Sequence, residues 1–206
     1  MAETTTFISD DHQRVFRMSE IAKRLFDFVV SFVALILLTP VFVWLAWLVH
    51  RDSPGPVFYH GDRVGRWGKV FKILKFRTMH EDASSYAGPR LTAAGDVRIT
   101  PIGKWLRDTK LNELPQLWNV LKGDMSLVGP RPPVPKEVAE YEYTDRRRLD
   151  AIPGITCIWQ VSGRSEIDFK GQVRLDVQYI ENQSFWGDIK LLLKTIPAVL
   201  LGKGAY

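Results

Sequence analysis

Residues Thr109 to Pro132 read T-K-L-N-E-L-P-Q-L-W-N-V-L-K-G-D-M-S-L-V-G-P-R-P. Leu114, Leu117, Trp118 and Leu121 recur at the i, i+3, i+4, i+7 spacing of one buried helical face. Pro115 fits such a helix only in the first turn, where its missing N–H costs nothing. The helix is therefore expected to start near Leu111 to Leu114 and to end at Gly123. Asn112 and Glu113 then lie at its N-terminus, where the backbone dipole favours anions and free N–H groups can hold a phosphate. An acidic first turn with a capping Asn is equally a common structural device. Beyond the helix come an acid, Asp124, and the rigid turn Gly129-Pro130-Arg131-Pro132.

The chain of 206 residues is long enough for one domain with a sizeable core. A net charge of +5 and a pI near 9.3 point to an anionic partner: a membrane surface, a nucleic acid or a phosphorylated substrate. Seven Trp and eleven Phe suit a membrane interface as well as a core. The single cysteine, Cys157, excludes an internal disulfide and a cysteine-based zinc site, and fits a reducing compartment. His12, His50, His60 and His80 show no metal-ligand spacing.

Residues 1–21 read as a polar tail or short surface helix, and they lack the pattern of a signal peptide. Residues 28–49 carry no charge and are long enough to cross a bilayer. A plain spanning helix is one reading. Pro40, with Thr39 before it, interrupts the run, and Arg17, Lys23 and Arg24 on one side face Arg51, Arg63 and Arg66 on the other. Basic residues favour the cytoplasmic side, so the second reading is a hairpin that enters, breaks at Thr39-Pro40 and leaves on the same face. Ser53-Pro54-Gly55-Pro56 closes the segment.

Two strands of a hairpin are expected around Val57-Phe58-Tyr59 and Val70–Met79, joined by a glycine-rich basic loop. Arg63, Arg66, Lys75 and Arg77 could gather phosphates there, or simply be solvated. Residues 81–97 form a long, weakly patterned loop. Thr100-Pro101 starts a helix with Ile102, Trp105 and Leu106 on its apolar face, and Arg107 lies close enough to Asn112 to share a site. Glu137 to Leu149 reads as one charged helix whose Arg146-Arg147-Arg148 run is surface. Ile155 to Val161 reads as a buried strand ending in Ser162-Gly163-Arg164. Phe169 to Ile180 reads as a helix with Val173, Val177 and Ile180 inward and Asp176 and Tyr179 on another side. The end of the chain, from Ser184, reads as a helix lying in a membrane interface or packed on the core. The fold class expected is α/β and mainly helical, with a small β-hairpin or sheet. Its N-terminal membrane part is a helix-break-helix, joined by interfacial amphipathic helices.

Several segments together resemble the bacterial sugar transferases, the monotopic phosphoglycosyl transferases, in their minimal catalytic form. They are K-R-L-F-D at 23–27, K-F-R-T-M at 75–79, the block at 111–132, P-G-I-T at 153–156, Q-V-S-G-R at 160–164 and L-D-V-Q-Y-I at 175–180. The resemblance spans roughly residues 22–202. It implies a re-entrant hairpin over 22–52 and a catalytic domain over 53–206 at the cytoplasmic face of the bacterial inner membrane. It also implies transfer of a sugar 1-phosphate from a nucleoside diphosphate sugar, usually a UDP-sugar, to undecaprenyl phosphate. Mg2+ is the implied cofactor, nucleic acid is not a partner, and the step starts a surface polysaccharide. A carboxylate nucleophile would divide one displacement into two.

The family's usual pair is Asp-Glu, and here the first position is Asn112. An amide is a poor nucleophile and brings no charge to a metal. Three explanations compete: Glu113 takes the nucleophilic role in a natural variant, Asn112 is an engineered substitution that traps the enzyme, or the chain binds donor without turnover. The first is favoured, because the rest of the block is intact. By motif match, Glu113, Asn112 and Arg107 are the catalytic set, with Glu113 and Asn112 as metal contacts. Arg107 and Arg131 are diphosphate clamps, Lys75 and Arg164 contact phosphate or nucleotide, and Asp124, Asp176 and Tyr179 orient or line the site. Thr39-Pro40 is the membrane break, with the Thr39 hydroxyl bonded to a backbone carbonyl. The alternative function is a catalytically silent, membrane-anchored nucleotide-sugar-binding protein. The sugar, the base and the oligomeric state are not readable from the sequence.

Overall fold

The computed structural model describes residues 10–81, 96–163 and 166–200, with side chains from Glu20 to Ala198 within that range. The loop expected at 81–97 falls almost wholly outside the described residues, and so does Arg164.

Helix α1 (Asp10–Leu37) and helix α2 (Thr39–Asp52) meet at Leu38, so Thr39 and Pro40 open the first turn of α2. The apolar part of the pair, Glu20–Leu37 with Thr39–Asp52, is bent by 63°. Among the described residues no single helix is long and apolar enough to cross a membrane, whereas this bent pair passes that test together. Pro40 supplies no N–H to the ladder, and the Thr39 hydroxyl donates to the Leu35 carbonyl at 2.8 Å beside the break. Phe32, Ile36, Leu37, Val43, Trp44 and Trp47 stay exposed on the pair. An apolar face of that extent marks contact with something other than water.

Strands β1 (Phe58–Val64) and β2 (Val70–Phe76) form the expected antiparallel hairpin, with Phe58 opposite Phe76 and Val64 opposite Val70. Helix α3 (Pro101–Asp108) begins at Thr100, whose side chain accepts from the Gly103 N–H. A 3-10 turn, Leu111–Glu113, leads to helix α4 (Gln116–Lys122), which ends at Gly123 in the left-handed conformation, φ 93°. The helix is thus shorter than its spacing suggests, and Asn112 and Glu113 lie in the turn ahead of it. Strand β3 (Ser126–Val128) pairs in parallel with β4 (Gly154–Thr156). Helices α5 (Pro135–Ala139), α6 (Ile158–Ser162), α7 (Phe169–Glu181) and α8 (Phe185–Leu200) complete the chain.

Two cores hold these elements. Phe71, Ile73, Leu117, Val120, Met125, Leu127, Val128 and Tyr179 form the first, and Phe26, Val30 and Ala34 of α1 pack on it. Leu45 and Val49 of α2 join Phe76 and Leu106 in the second, with Ile102, Leu111 and Leu114 against them. Each fully buried side chain of that size contributes about 1.5–3 kcal/mol. Helix α2 therefore shares a core with the helix that carries Arg107 and the turn that carries Glu113.

Four expectations change. Trp118 is half exposed, and the core face of α4 carries Gln116, Leu117, Asn119 and Val120 instead. The cause is Asn119: its side chain accepts from the Leu74 N–H at 2.9 Å and donates to the Lys72 carbonyl at 2.7 Å, fixing α4 to β2. The single charged helix over 137–149 is instead α5 followed by a separate 3-10 turn, Asp145–Leu149, and Arg148 is buried rather than surface. The strand expected over 155–161 stops at Thr156, because its partner β3 runs into Gly129-Pro130, and Pro130 has no N–H to donate. On α7 the buried stripe is Val173, Asp176 and Tyr179.

Candidate active site

The side chains that converge come from four segments. Alternation along β2 puts Ile73 and Lys75 on one face and Phe76 on the other. Phe76 enters the α2 core, while Lys75 reaches Glu113, with Nζ 2.7 Å from its carboxylate. Lys110, in the left-handed conformation with φ 61°, turns the chain out of α3 into the Leu111–Glu113 turn. Arg131 follows from the Gly-Pro-Arg-Pro turn. That turn is held on one side by the Gly154 N–H on the Pro130 carbonyl at 2.9 Å, and on the other by the Val64 N–H on the Pro133 carbonyl at 2.9 Å. A side chain at Gly154 would collide with the Gly129 backbone, so only glycine permits this approach.

Arg63, Ile73, Lys75, Gln116, Arg131, Pro132, Gly154 and Ile155 line a cavity of about 10 Å³. Arg107 stands nearby, its Nε donating to the Thr78 hydroxyl at 2.8 Å. Burial alone would push the Glu113 carboxyl up, but Lys75, then Arg131 and Lys110, outweigh it and hold the group at about 2. Burial lowers Lys75, with Arg131 and Arg63 adding to the effect and Glu113 opposing it. Burial likewise lowers Arg63 and Arg107, and Glu113 opposes both shifts. Crowded, desolvated cations around one carboxylate make a site that a bound anion would relieve.

Asn112 is buried at 9 % exposure and its Oδ1 has no hydrogen-bond partner among the described residues. Mg2+ takes oxygen ligands, commonly one or two carboxylates with substrate phosphates. The orphaned Asn112 oxygen beside the Glu113 carboxylate fits that chemistry. No group of three or more His, Cys, Asp or Glu that could hold a metal occurs among the described residues, so the remaining ligands would come from substrate and water.

Three expected site residues stand elsewhere. Asp124 pairs with Lys122 at 2.9 Å and lines a separate groove with Gly65, Arg66, Trp67 and Lys69. Asp176 is 1 % exposed and pairs with Arg148 at 2.6 Å. The Tyr179 hydroxyl lies 2.9 Å from Asp188 Oδ1 and 3.0 Å from the Val128 carbonyl. None of the three lines the cavity at Lys75 and Arg131, because each is held by a partner in another part of the fold. Arg66 and Arg77 also have structural partners. Arg66 bonds Glu20 and the Asp150 carbonyl, and Arg77 donates to the Val49, Ser53 and Pro54 carbonyls at the end of α2. Gln116, missed in the sequence, carried one signal: a polar residue on the core side of an apolar helix.

The bacterial sugar transferase family model matches residues 18–202. The chain is 45 % identical over 196 residues to the galactosyl transferase CpsE of Streptococcus agalactiae, covering 90 % of this chain and 43 % of that protein. It is 43 % identical over 204 residues to the undecaprenyl-phosphate galactose phosphotransferase of Salmonella typhimurium, covering 92 % of this chain and 43 % of that one. It is 38 % identical over 219 aligned positions to the exopolysaccharide production protein ExoY of Sinorhizobium fredii, covering 100 % of this chain and 97 % of the relative. The chain belongs to the bacterial sugar transferase family. It spans less than half of CpsE and of the Salmonella protein, and nearly all of ExoY.

Proposed function

We propose that this chain is a phosphoglycosyl transferase that moves a sugar 1-phosphate from a nucleoside diphosphate sugar, a UDP-sugar, to undecaprenyl phosphate. The product initiates exopolysaccharide synthesis. The observation that carries the reading is the Glu113 carboxylate, 2.7 Å from Lys75 Nζ and lowered by Lys75 and Arg131, in a chain that the family model matches over residues 18–202. Relatives named for undecaprenyl-phosphate galactose and glucose transfer support the substrate class.

In this reading a Glu113 oxygen attacks the sugar-bearing phosphorus. The bond from that phosphorus to the nucleoside monophosphate breaks, and the electron pair leaves with the monophosphate. An oxygen of undecaprenyl phosphate then attacks the same phosphorus and returns the carboxylate to Glu113. Arg107, Arg131 and Lys75 neutralise the diphosphate, and Arg164 is assigned to phosphate or nucleotide. Asn112 and Glu113 would hold Mg2+, which neutralises phosphate charge when bound. The bent α1–α2 pair is read as a re-entrant anchor that sets the site at the cytoplasmic face of the inner membrane, within reach of the lipid phosphate.

The test is a donor panel with undecaprenyl phosphate and Mg2+, following nucleoside monophosphate release, with intact-mass detection of a phosphosugar adduct on Glu113. Turnover and adduct in the wild type are expected. No adduct, with turnover appearing only in Asn112→Asp, would remove Glu113 as nucleophile. Asn112 also motivates the second reading, a silent nucleotide-sugar-binding protein, in which donor binds and no monophosphate is released.

A further inference from the structure

The cavity at Lys75 and Arg131 contains a donor that the assignments above do not use. Gln116 is 2 % exposed, and its Nε2 has no hydrogen-bond partner among the described residues although the side chain lines that cavity. A buried donor left unmade costs on the order of 1–3 kcal/mol, so an unpaired amide here calls for an explanation. The other polar side chains lining it, Arg63, Lys75 and Arg131, are cationic donors; the Glu113 carboxylate, bonded to Lys75 at 2.7 Å, is not among the described lining residues. The volume, about 10 Å³, is close to the least that holds one water and admits one oxygen-sized atom. Two guanidiniums, an ammonium and a neutral amide lining one oxygen-sized space suit an anionic oxygen.

We propose that Gln116 is a substrate-binding residue whose Nε2 donates to a non-bridging phosphoryl oxygen seated in this cavity, with Arg63 as a second donor from β1. The proposal rests on the transferase reading above and names a contact within it. The oxygen belongs to the donor diphosphate or to the lipid phosphate; both present the same chemistry.

The whole chain in detergent or nanodiscs, as Gln116→Leu, tests it. Removing an orphaned buried donor and leaving an apolar group of similar shape is neutral or stabilising. Gln116→Leu should therefore melt no lower than the wild type. Loss of a hydrogen bond to a charged oxygen should slow turnover about ten- to a hundred-fold. A structural glutamine would show the reverse: a lower Tm with little kinetic change. Gln116→Glu places a carboxylate among Arg63, Lys75 and Arg131, and should raise Tm while depressing turnover further.

Two single-turnover arms identify the source of the oxygen. If the donor diphosphate fills the cavity, adduct formation from the UDP-sugar without lipid slows. If the lipid phosphate fills it, only transfer from a preformed adduct to undecaprenyl phosphate slows. Unchanged rates in both arms overturn the proposal. The rise in Tm caused by inorganic phosphate gives a readout that does not depend on turnover. That rise should shrink in Gln116→Leu, and an undiminished rise overturns the proposal. A wild type inactive with every donor, yet showing the Gln116-dependent phosphate effect, would reject the transferase reading and keep the anion site.

Discussion

Replacing Lys75 with Met tests how the site keeps its carboxylate ionised. Lys75 and Glu113 are 14 % and 20 % exposed, and their charged atoms are 2.7 Å apart. The Glu113 carboxyl is lowered from 4.5 to about 2. At about 1.4 kcal/mol for each tenfold change in proton affinity, that drop corresponds to differential stabilisation on the order of 3 kcal/mol. Burial of Lys75 works against the pair, so the net loss expected in Lys75→Met at pH 7 is smaller, about 2 kcal/mol. The folded pKa of Glu113 lies below its unfolded value. Its stabilisation is therefore complete above about 4.5 and is lost as pH falls through about 2. Urea denaturation of both proteins between pH 3 and 7 should show the gap between them narrowing as pH falls. With Lys75 gone, burial raises the Glu113 carboxyl against the weaker pull of Arg131 and Lys110. The acid limb of monophosphate release should then move to higher pH. An unchanged acid limb, or a stability gap that does not vary with pH, would refute the assigned role of Lys75.

Three further outcomes are expected. Asn119→Ala leaves the Leu74 N–H and the Lys72 carbonyl without their side-chain partner and should cost about 2–4 kcal/mol in urea denaturation. Arg148→Met leaves Asp176 buried without its cation and should cost about 3–5 kcal/mol at pH 7. Burial already pushes Asp176 up to about 6 against Arg148, above its unfolded 3.8, so its ionisation opposes folding. The variant should regain stability as pH falls through and below about 6, read by thermal melts. Pro40→Leu restores the missing backbone N–H and should straighten the 63° bend. Cysteine labelling in intact vesicles should reach both ends of the wild-type hairpin from one face, and opposite faces in the variant.

Local chemistry made the helix break legible. Pro40 cannot continue the ladder of α1 and so opens the first turn of a new helix, and Thr39 carries the hydroxyl that bonds beside it. The β-hairpin, the start of α3 at Thr100-Pro101 and the stop of α4 at Gly123 follow from equally local rules. The block at 111–132 likewise pointed to Glu113, because a family motif is a property of the chain itself.

Partner choice across the fold was not legible. Asn119 and Gln116 displace Trp118 from the core face because their amides meet a strand edge and a cavity supplied by distant segments. Arg148 reads as surface charge until Asp176 arrives from α7, and Asp176 reads as a site acid until Arg148 claims it. Arg63, Arg66, Lys75 and Arg77 look alike along the hairpin. Only tertiary contacts send Arg77 to the α2 carbonyls and Arg66 to Glu20, leaving Arg63 and Lys75 at the cavity. Periodicity and turn chemistry act over a few residues and can be read along the chain. Desolvation and ion pairing depend on which charges folding brings within a few ångströms, and that only the tertiary structure decides.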